Sequence, residues 1–252
     1  MQENPNSIQV IERLAKILDV IASRKESVSL KILSAETGLH PSTAFRILSS
    51  LVDFGFVERT SRGNYQLGVK LMQLGSRVNA SVDIRKIALP FMEALRDKLG
   101  ETVNLTVREN DEVVYIERSV AKRMIKVEQV IGSRAPLHVT AVGKMMLGEL
   151  GEEACRDYAK RSKLPAYTIN TYIKVNALLE EASASLERGY SLDNEEAELG
   201  VGCIGTLIRD ANNHVIAGLS VSAPIERRKD EWIAQVIETG LHISKQLGFH
   251  TV

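Results

Sequence analysis

Ser42, Thr43, Arg46, Ser49 and Ser50 lie on one side of the stretch PSTAFRILSSLV, with Ala44, Ile47, Leu48, Leu51 and Val52 on the other. That spacing predicts a helix with an apolar face for packing and an outer face of small hydroxyls and one long basic side chain. Small hydroxyls let a helix approach phosphates closely, and an arginine reaches guanine O6 and N7 with two hydrogen bonds. A helix buried on both sides would not keep this stripe polar. Arg59 and Arg62 follow near the tip of a short hairpin pattern, placed to touch the backbone or minor groove of a duplex. The chemistry on offer is docking into the major groove of double-stranded DNA.

A second group of residues lies far along the chain. Thr140-Ala141-Val142-Gly143 opens a predicted helix, whose first N–H groups have no partner within the helix and can receive a carboxylate. Ser220 and Ser222 are two apart in a predicted strand and so share a face. Asp193, placed on a loop before that sheet, could accept from a ligand hydroxyl or from Ser222. A few polar groups among apolar walls suit a small-molecule pocket. Plainer roles fit too: strand serines can be structural, Asp193 could cap a turn, and Cys203 could be a small core residue.

Other patterns do not meet their structural context. Gly200-Val201-Gly202-Cys203-Ile204-Gly205 satisfies G-x-G-x-x-G, but it follows an acidic stretch and precedes a strand, so a dinucleotide site is not expected. Its glycines would permit a bend or the close approach of a ligand. Gly143-Lys144 lacks the leading glycine and trailing hydroxyl of a phosphate loop, because those positions are His138 and Met145. Glu195, Glu196 and Glu198 read as a solvated acidic loop. The histidines at 40, 138, 214, 242 and 250 have no metal-ligand spacing, and no nucleophile–base set is legible. No metal, cofactor or enzymatic activity is expected.

These residues need elements to hold them. Ser7 is placed to cap a first helix, marked by Ile8, Ile11, Leu14, Ile17, Leu18 and Ile21. Ser29 is placed to cap a second helix over 30–37, ended by Gly38, and Pro41 to start the third. Hairpin strands flank a turn over 60–64 with Gly63-Asn64 in it. Helical patterns return over 69–80 and from Asp83 to about Lys98, with Pro90 expected to kink or bound the latter. Strands are predicted over 102–109, 113–120, 126–131, 203–209 and 215–222, and helices over 140–150, 152–161, 174–188 and 231–247. Strands joined by hairpins and interrupted by helices indicate an α+β domain with a largely antiparallel sheet.

The 252 residues leave room for two domains, and 44% hydrophobic with 25% charged residues is ordinary for globular chains. Aromatics at 5% argue against a stacking surface for single-stranded nucleic acid. The net charge of zero hides a small split: residues 1–81 carry ten Lys/Arg against seven Asp/Glu, leaving 22 against 25 in the rest. Two cysteines, Cys155 and Cys203, make neither a disulfide framework nor a zinc site. The polar start MQENPNSIQV shows no secretory leader, and no apolar run is long enough to span a membrane, so a cytoplasmic protein is expected.

In SLKILSAETGLHPSTAFRILSSLVDFGFVER, NYQLGVKLMQLG, LHVTAVGKMML, GYSLDNEEAELGVGCIGTLIRD and IAGLSVSAP, in that order and spacing, the chain resembles the IclR family of bacterial transcription regulators. The resemblance runs from about Ser7 to Leu247. It implies a winged helix-turn-helix over 7–68, a linker helix over 69–81 and a GAF-like α+β effector-binding domain over 82–250. It also implies homodimers or homotetramers on operator DNA, and small organic acids, aliphatic or aromatic, as effectors. By motif, the pocket would comprise Ala141 and Val142 at the ligand carboxylate, Asp193, Val201 and Cys203 in the glycine-rich segment, Ser220 and Ser222 on the last strand, and Val127 and Ala135 as apolar walls. Family members often have a small Gly-Ala pair where this chain has Ala141-Val142, so the bulkier Val142 alters the room for a ligand. Two rival functions remain at this stage: an enzyme acting on a small acid, and a ligand sensor whose helical module oligomerises or binds a protein.

Overall fold

The structure, a computed structural model, describes residues 8–24, 26–81 and 83–250, with 76–81 as backbone only. The chain divides between residues 82 and 83 into two compact units.

The first unit begins with α1 (Gln9–Ala22), whose N-cap is Ile8 without a side-chain cap; the predicted cap, Ser7, lies outside the described residues. Ser29 does cap α2 (Leu30–Thr37), accepting from Ile32 N, and Gly38 ends that helix at φ +70°. A φ of that sign costs glycine nothing and strains other residues, hence glycine at the turn between the two helices. Pro41 takes the first position of α3 (Pro41–Asp53), and the His40 side chain accepts from Ser42 N. Strands β1 (Val57–Arg59) and β2 (Tyr65–Leu67) form the antiparallel wing, and Val28 bridges to Tyr65 alongside. Ile17, Ile21, Val28, Leu33, Leu48, Leu51, Val57 and Tyr65 make the core, to which α1, α2, α3, β1 and β2 all contribute. Helix α4 (Val69–Ser81) follows.

In the second unit, Asp83 caps α5 (Ile84–Leu99), which continues past Pro90 and ends at Gly100. A six-stranded sheet runs β5-β4-β3-β8-β7-β6, every pair antiparallel. Its strands are β3 (Thr102–Glu109), β4 (Glu112–Ser119), β5 (Arg134–Pro136), β6 (Ser191–Asn194), β7 (Val201–Arg209) and β8 (Val215–Pro224). The period-two alternation of strand side chains divides its two faces. Val103, Leu105, Ile204, Leu219 and Val221 pack on α5 and on α9 (Ile233–Gln246). The other face meets α6 (Ala141–Leu150), with α7 (Glu152–Ser162) and α8 (Val175–Arg188) outside it, through Val142, Met145, Leu147, Tyr158, Leu178 and Leu207. No helix among the described residues is long and apolar enough to cross a membrane.

Two predicted elements need correction. Residues 126–131 are not a strand; the edge strand is the later Arg134–Pro136. The β3–β4 register shifts between Leu105 and Thr106, which leaves Ile116 as an extra residue on β4. Such a bulge bends its strand, and the neighbouring segment then meets β4 through scattered contacts, Gly132 N to Tyr115 O (2.7 Å) and the Arg118 side chain to Gln129 O. Asp193 is not on a loop either: it lies on β6, at the far edge of the sheet.

Candidate DNA-reading helix and effector site

On α3 the core takes Ala44, Leu48 and Leu51, while Ser42, Arg46 and Ser50 are exposed and Thr43 and Ser49 half-buried. The predicted polar stripe therefore faces outward. Two of its hydroxyls are engaged locally: Ser42 Oγ lies 2.9 Å from His40 Nδ1, and Ser50 Oγ donates to Arg46 O at 3.2 Å. Phe45, at 44% exposure, shares the surface with them. In the wing, Arg59 and Arg62 are both exposed, and the Arg59 guanidinium stands 5.8 Å from the Tyr65 ring centroid.

In the second unit, sheet register places Asp193 opposite Cys203, and Cys203 opposite Ser222. Ser220 lies one step along the same face, opposite both Gly205 and Asn104. Asn104 Nδ2 donates to Ser222 Oγ at 3.0 Å, Ser222 Oγ lies 3.2 Å from Cys203 Sγ, and Cys203 pairs across the ladder with Asp193. A polar row thus crosses four strands, from β3 to β6. Asp193 takes no bond from Ser222; it accepts from Glu196 N at 2.8 Å. Asn104 is fully buried, and its Oδ1 has no hydrogen-bond partner among the described residues. Burial pushes the Asp193 carboxyl upward, against the pull of the Glu196 N–H and of Lys144. Burial likewise raises the Cys203 thiol, which keeps it protonated and unreactive.

The start of α6 lies beside this row, over Gly205 and Gly218 on the same face of the sheet. A Cβ on Gly205 would stand 2.8 Å from Val142 Cγ1, and one on Gly218 would stand 2.7 Å from Val142 Cβ. The strand glycines therefore admit a helix, where the sequence had offered a bend or a ligand. They also make room for the bulk of Val142. Thr140 Oγ1 accepts from Gly143 N at 3.2 Å, whereas the N–H groups of Ala141 and Val142 have no acceptor among the described residues. Two free donors at a helix N-terminus form an electropositive end.

Of the remaining predicted pocket residues, Val201 is half-buried at the start of β7 and shares the face of Cys203. Ala135, on β5, packs into the cluster that holds Val142 and Tyr115. Val127 is half-buried on the irregular segment before Gly132. A cleft of about 620 Å³ lies elsewhere, lined by α7 and α8 residues such as Cys155, Leu179 and Leu186, and contains none of the predicted site residues.

The acidic loop holds what sequence reasoning missed. Glu196 is buried, not solvated, and the fully buried Lys144 donates to its Oε1 at 2.6 Å and to Leu192 O at 2.7 Å. The ammonium also lies 4.9 Å from the centroid of the Tyr172 ring. Burial raises the Glu196 carboxyl to about 7 although Lys144 pulls the other way. The available signal was a lone lysine inside the otherwise apolar AVGKMML, since lysine is hardly ever buried without a partner. This pair ties α6 to the chain that positions Asp193.

Comparison with known proteins bears on both units. Residues 10–61 match the IclR helix-turn-helix domain, and residues 76–247 match the bacterial transcriptional regulator IclR C-terminal domain. The chain belongs to the IclR family of transcription regulators. It is 32% identical over 247 residues to the HTH-type transcriptional regulator XynR of Escherichia coli (strain K12), covering 96% of this chain and 98% of that one. The crystal structure of the Agobacterium tumefaciens repressor BlcR is similar with a TM-score of 0.80 and 27% identity, over 98% of this chain and 100% of that chain. An IclR homolog from Microbacterium hydrocarbonoxydans, complexed with 4-hydroxybenzoate, has a TM-score of 0.62 and 25% identity over 94% and 98% of the two chains. An IclR-family regulator accounts for the helix-turn-helix with its outward polar stripe, which an enzyme acting on a small acid would not need.

Proposed function

We propose that the protein is a homo-oligomeric regulator whose hold on an operator is set by a small organic acid. In each copy α3 enters the major groove with Ser42, Thr43, Arg46 and Ser49, and Arg59 and Arg62 of the wing touch the DNA backbone. The acid places its carboxylate on the N–H groups of Ala141 and Val142 and its polar substituents along Asp193, Cys203, Ser220 and Ser222, with Val127, Ala135 and Val201 as walls. The observation that carries this reading is the pair of free helix-terminal donors on the face of the sheet that holds a polar row spanning four strands. The 4-hydroxybenzoate complex of a relative supports a carboxylate effector with a second polar group. Exposed Ile8, Val10 and Ile11 near the start of the chain, and Val69, Met72 and Leu74 on α4, supply apolar surface for self-association. Asp193, Ser220 and Ser222 are all buried, so a ligand enters only by displacing chain that covers them. Coupling requires that this displacement favour one arrangement of the oligomer.

Calorimetry of the full chain with 4-hydroxybenzoate and a set of short aliphatic carboxylates tests the site. At least one acid is expected to bind, and Ser222→Ala to weaken it about fivefold to tenfold, the worth of a single hydrogen bond. Binding left unchanged by both Ser222→Ala and Asp193→Asn would assign the acid to another place, such as the cleft between α7 and α8.

A further inference from the structure

Phe45 is not among the residues that fill the N-terminal core. The inner face of α3 is filled by Ala44 and Leu48, both fully buried, and by Leu51 at 2% exposure. The half-buried residues that pack on that core include Ile47, Val52 and Phe56 but not Phe45. Its ring instead stands 44% exposed. It lies three residues after Ser42, one before Arg46 and four before Ser49, so these four share one helix face. A phenyl ring among hydroxyls and a guanidinium gains nothing from water, and it cannot hydrogen-bond a phosphate or a base edge. The apolar group that a major groove presents is the 5-methyl of thymine.

We infer that Phe45 is a specificity residue that reads a thymine methyl beside the base contacted by Arg46. The inference rests on the proposal that α3 enters the major groove, and it adds a sequence preference which the hydroxyls and Arg46 do not supply. Arg46 selects by hydrogen bonds to guanine, whereas Phe45 selects by apolar burial. The two preferences are therefore separable by chemistry that removes a methyl and nothing else.

The test begins with operator sequences selected by the full chain from a random-sequence DNA pool. Each thymine of the selected site is then replaced singly by deoxyuridine. For the unaltered protein, one such replacement (or one per half-site) should weaken binding about fourfold, the effect of losing one buried methyl. Phe45→Ala should bind the thymine and uracil forms equally, and Phe45→Leu should keep part of the difference. Arg46→Ala should keep the thymine preference while losing the neighbouring guanine. Phe45 is exposed and outside the core, and circular dichroism of the variants checks that they fold. Sensitivity to uracil at no position, or sensitivity that persists in Phe45→Ala, would overturn the inference while leaving the groove-docking proposal in place. Failure of the unaltered protein to select any sequence would overturn both.

Discussion

Lys144 and Glu196 show how much hangs on single buried charges. Each is almost wholly removed from water, and each is bearable only because the other is there. Breaking such a pair from one side typically costs about 3–5 kcal/mol, whereas replacing both partners by apolar groups is often nearly neutral. Lys144→Met is therefore expected to lower unfolding stability by about that amount in urea titrations, and Lys144→Met/Glu196→Leu to recover most of it. The penalty has a pH sign. Glu196 is held near 7 with Lys144 present, and loses its partner's pull in the variant, so its carboxyl takes up a proton more readily. The cost of Lys144→Met should thus grow as pH rises through about 7 and shrink in acid. A pH-independent difference would contradict the buried pair. On α3, Arg46→Ala should cost about 1–3 kcal/mol of operator affinity and relax preference at one base pair; equal affinity for matched and mismatched sites in the unaltered protein would remove that role. At this scale the sequence was partly legible. Strand parity alone put Ser220 and Ser222 on one face. Glu196 was misread because three glutamates in four residues look solvated, and only the fold shows that one of them turns inward to meet a lysine 52 residues away.

Among the elements, α6 is positioned by what the strands lack. Its first turn sits on Gly205 and Gly218, and a side chain on either would collide with Val142. Gly218→Ala is expected to destabilise the protein by about 1–3 kcal/mol through overpacking. Val142→Ala should recover little of that loss, because alanine keeps the Val142 Cβ, which stands 2.7 Å from the added methyl. Gly205→Ala should be rescued better, since its tightest contact, Val142 Cγ1 at 2.8 Å, is removed and the contacts that remain, the Val142 backbone nitrogen and Ala141 Cβ, stand at 3.0 and 3.1 Å. Equal rescue of both by Val142→Ala, measured by thermal unfolding, would contradict this packing. Helix ends were the most legible feature of the chain. Ser29 and Gly38 around α2, Pro41 opening α3, Asp83 and Gly100 around α5 and Gly189 after α8 all stand where capping chemistry puts them. Edge strands were the least legible. The four residues of β6 are too few for a periodic signal, and a bulge at Ile116 turns the apolar-looking segment 126–131 away from the ladder it resembles.

The whole molecule joins two units of different chemistry in one chain: a helix-turn-helix of the IclR family and a C-terminal domain with a polar row beside a helix N-terminus. Composition alone says little of this, because a net charge of zero averages a slightly basic first third with a slightly acidic remainder. The order of motifs carried the family, and the family fixed the fold class; the polar row became visible only through the pairing of β3, β8, β7 and β6, which lie far apart in sequence. The central claim is that a small acid in one unit governs DNA binding by the other. The most direct test is fluorescence anisotropy of the full chain on a labelled selected operator, across a series of salt concentrations, with and without each acid that calorimetry shows to bind. Affinity is expected to prefer the selected sequence and to fall steeply with salt, as phosphate contacts require, and at least one bound acid is expected to shift it by about fivefold or more, the lower end of about 1–3 kcal/mol for coupling between sites. An operator affinity that stays the same when the acid site is saturated would contradict it.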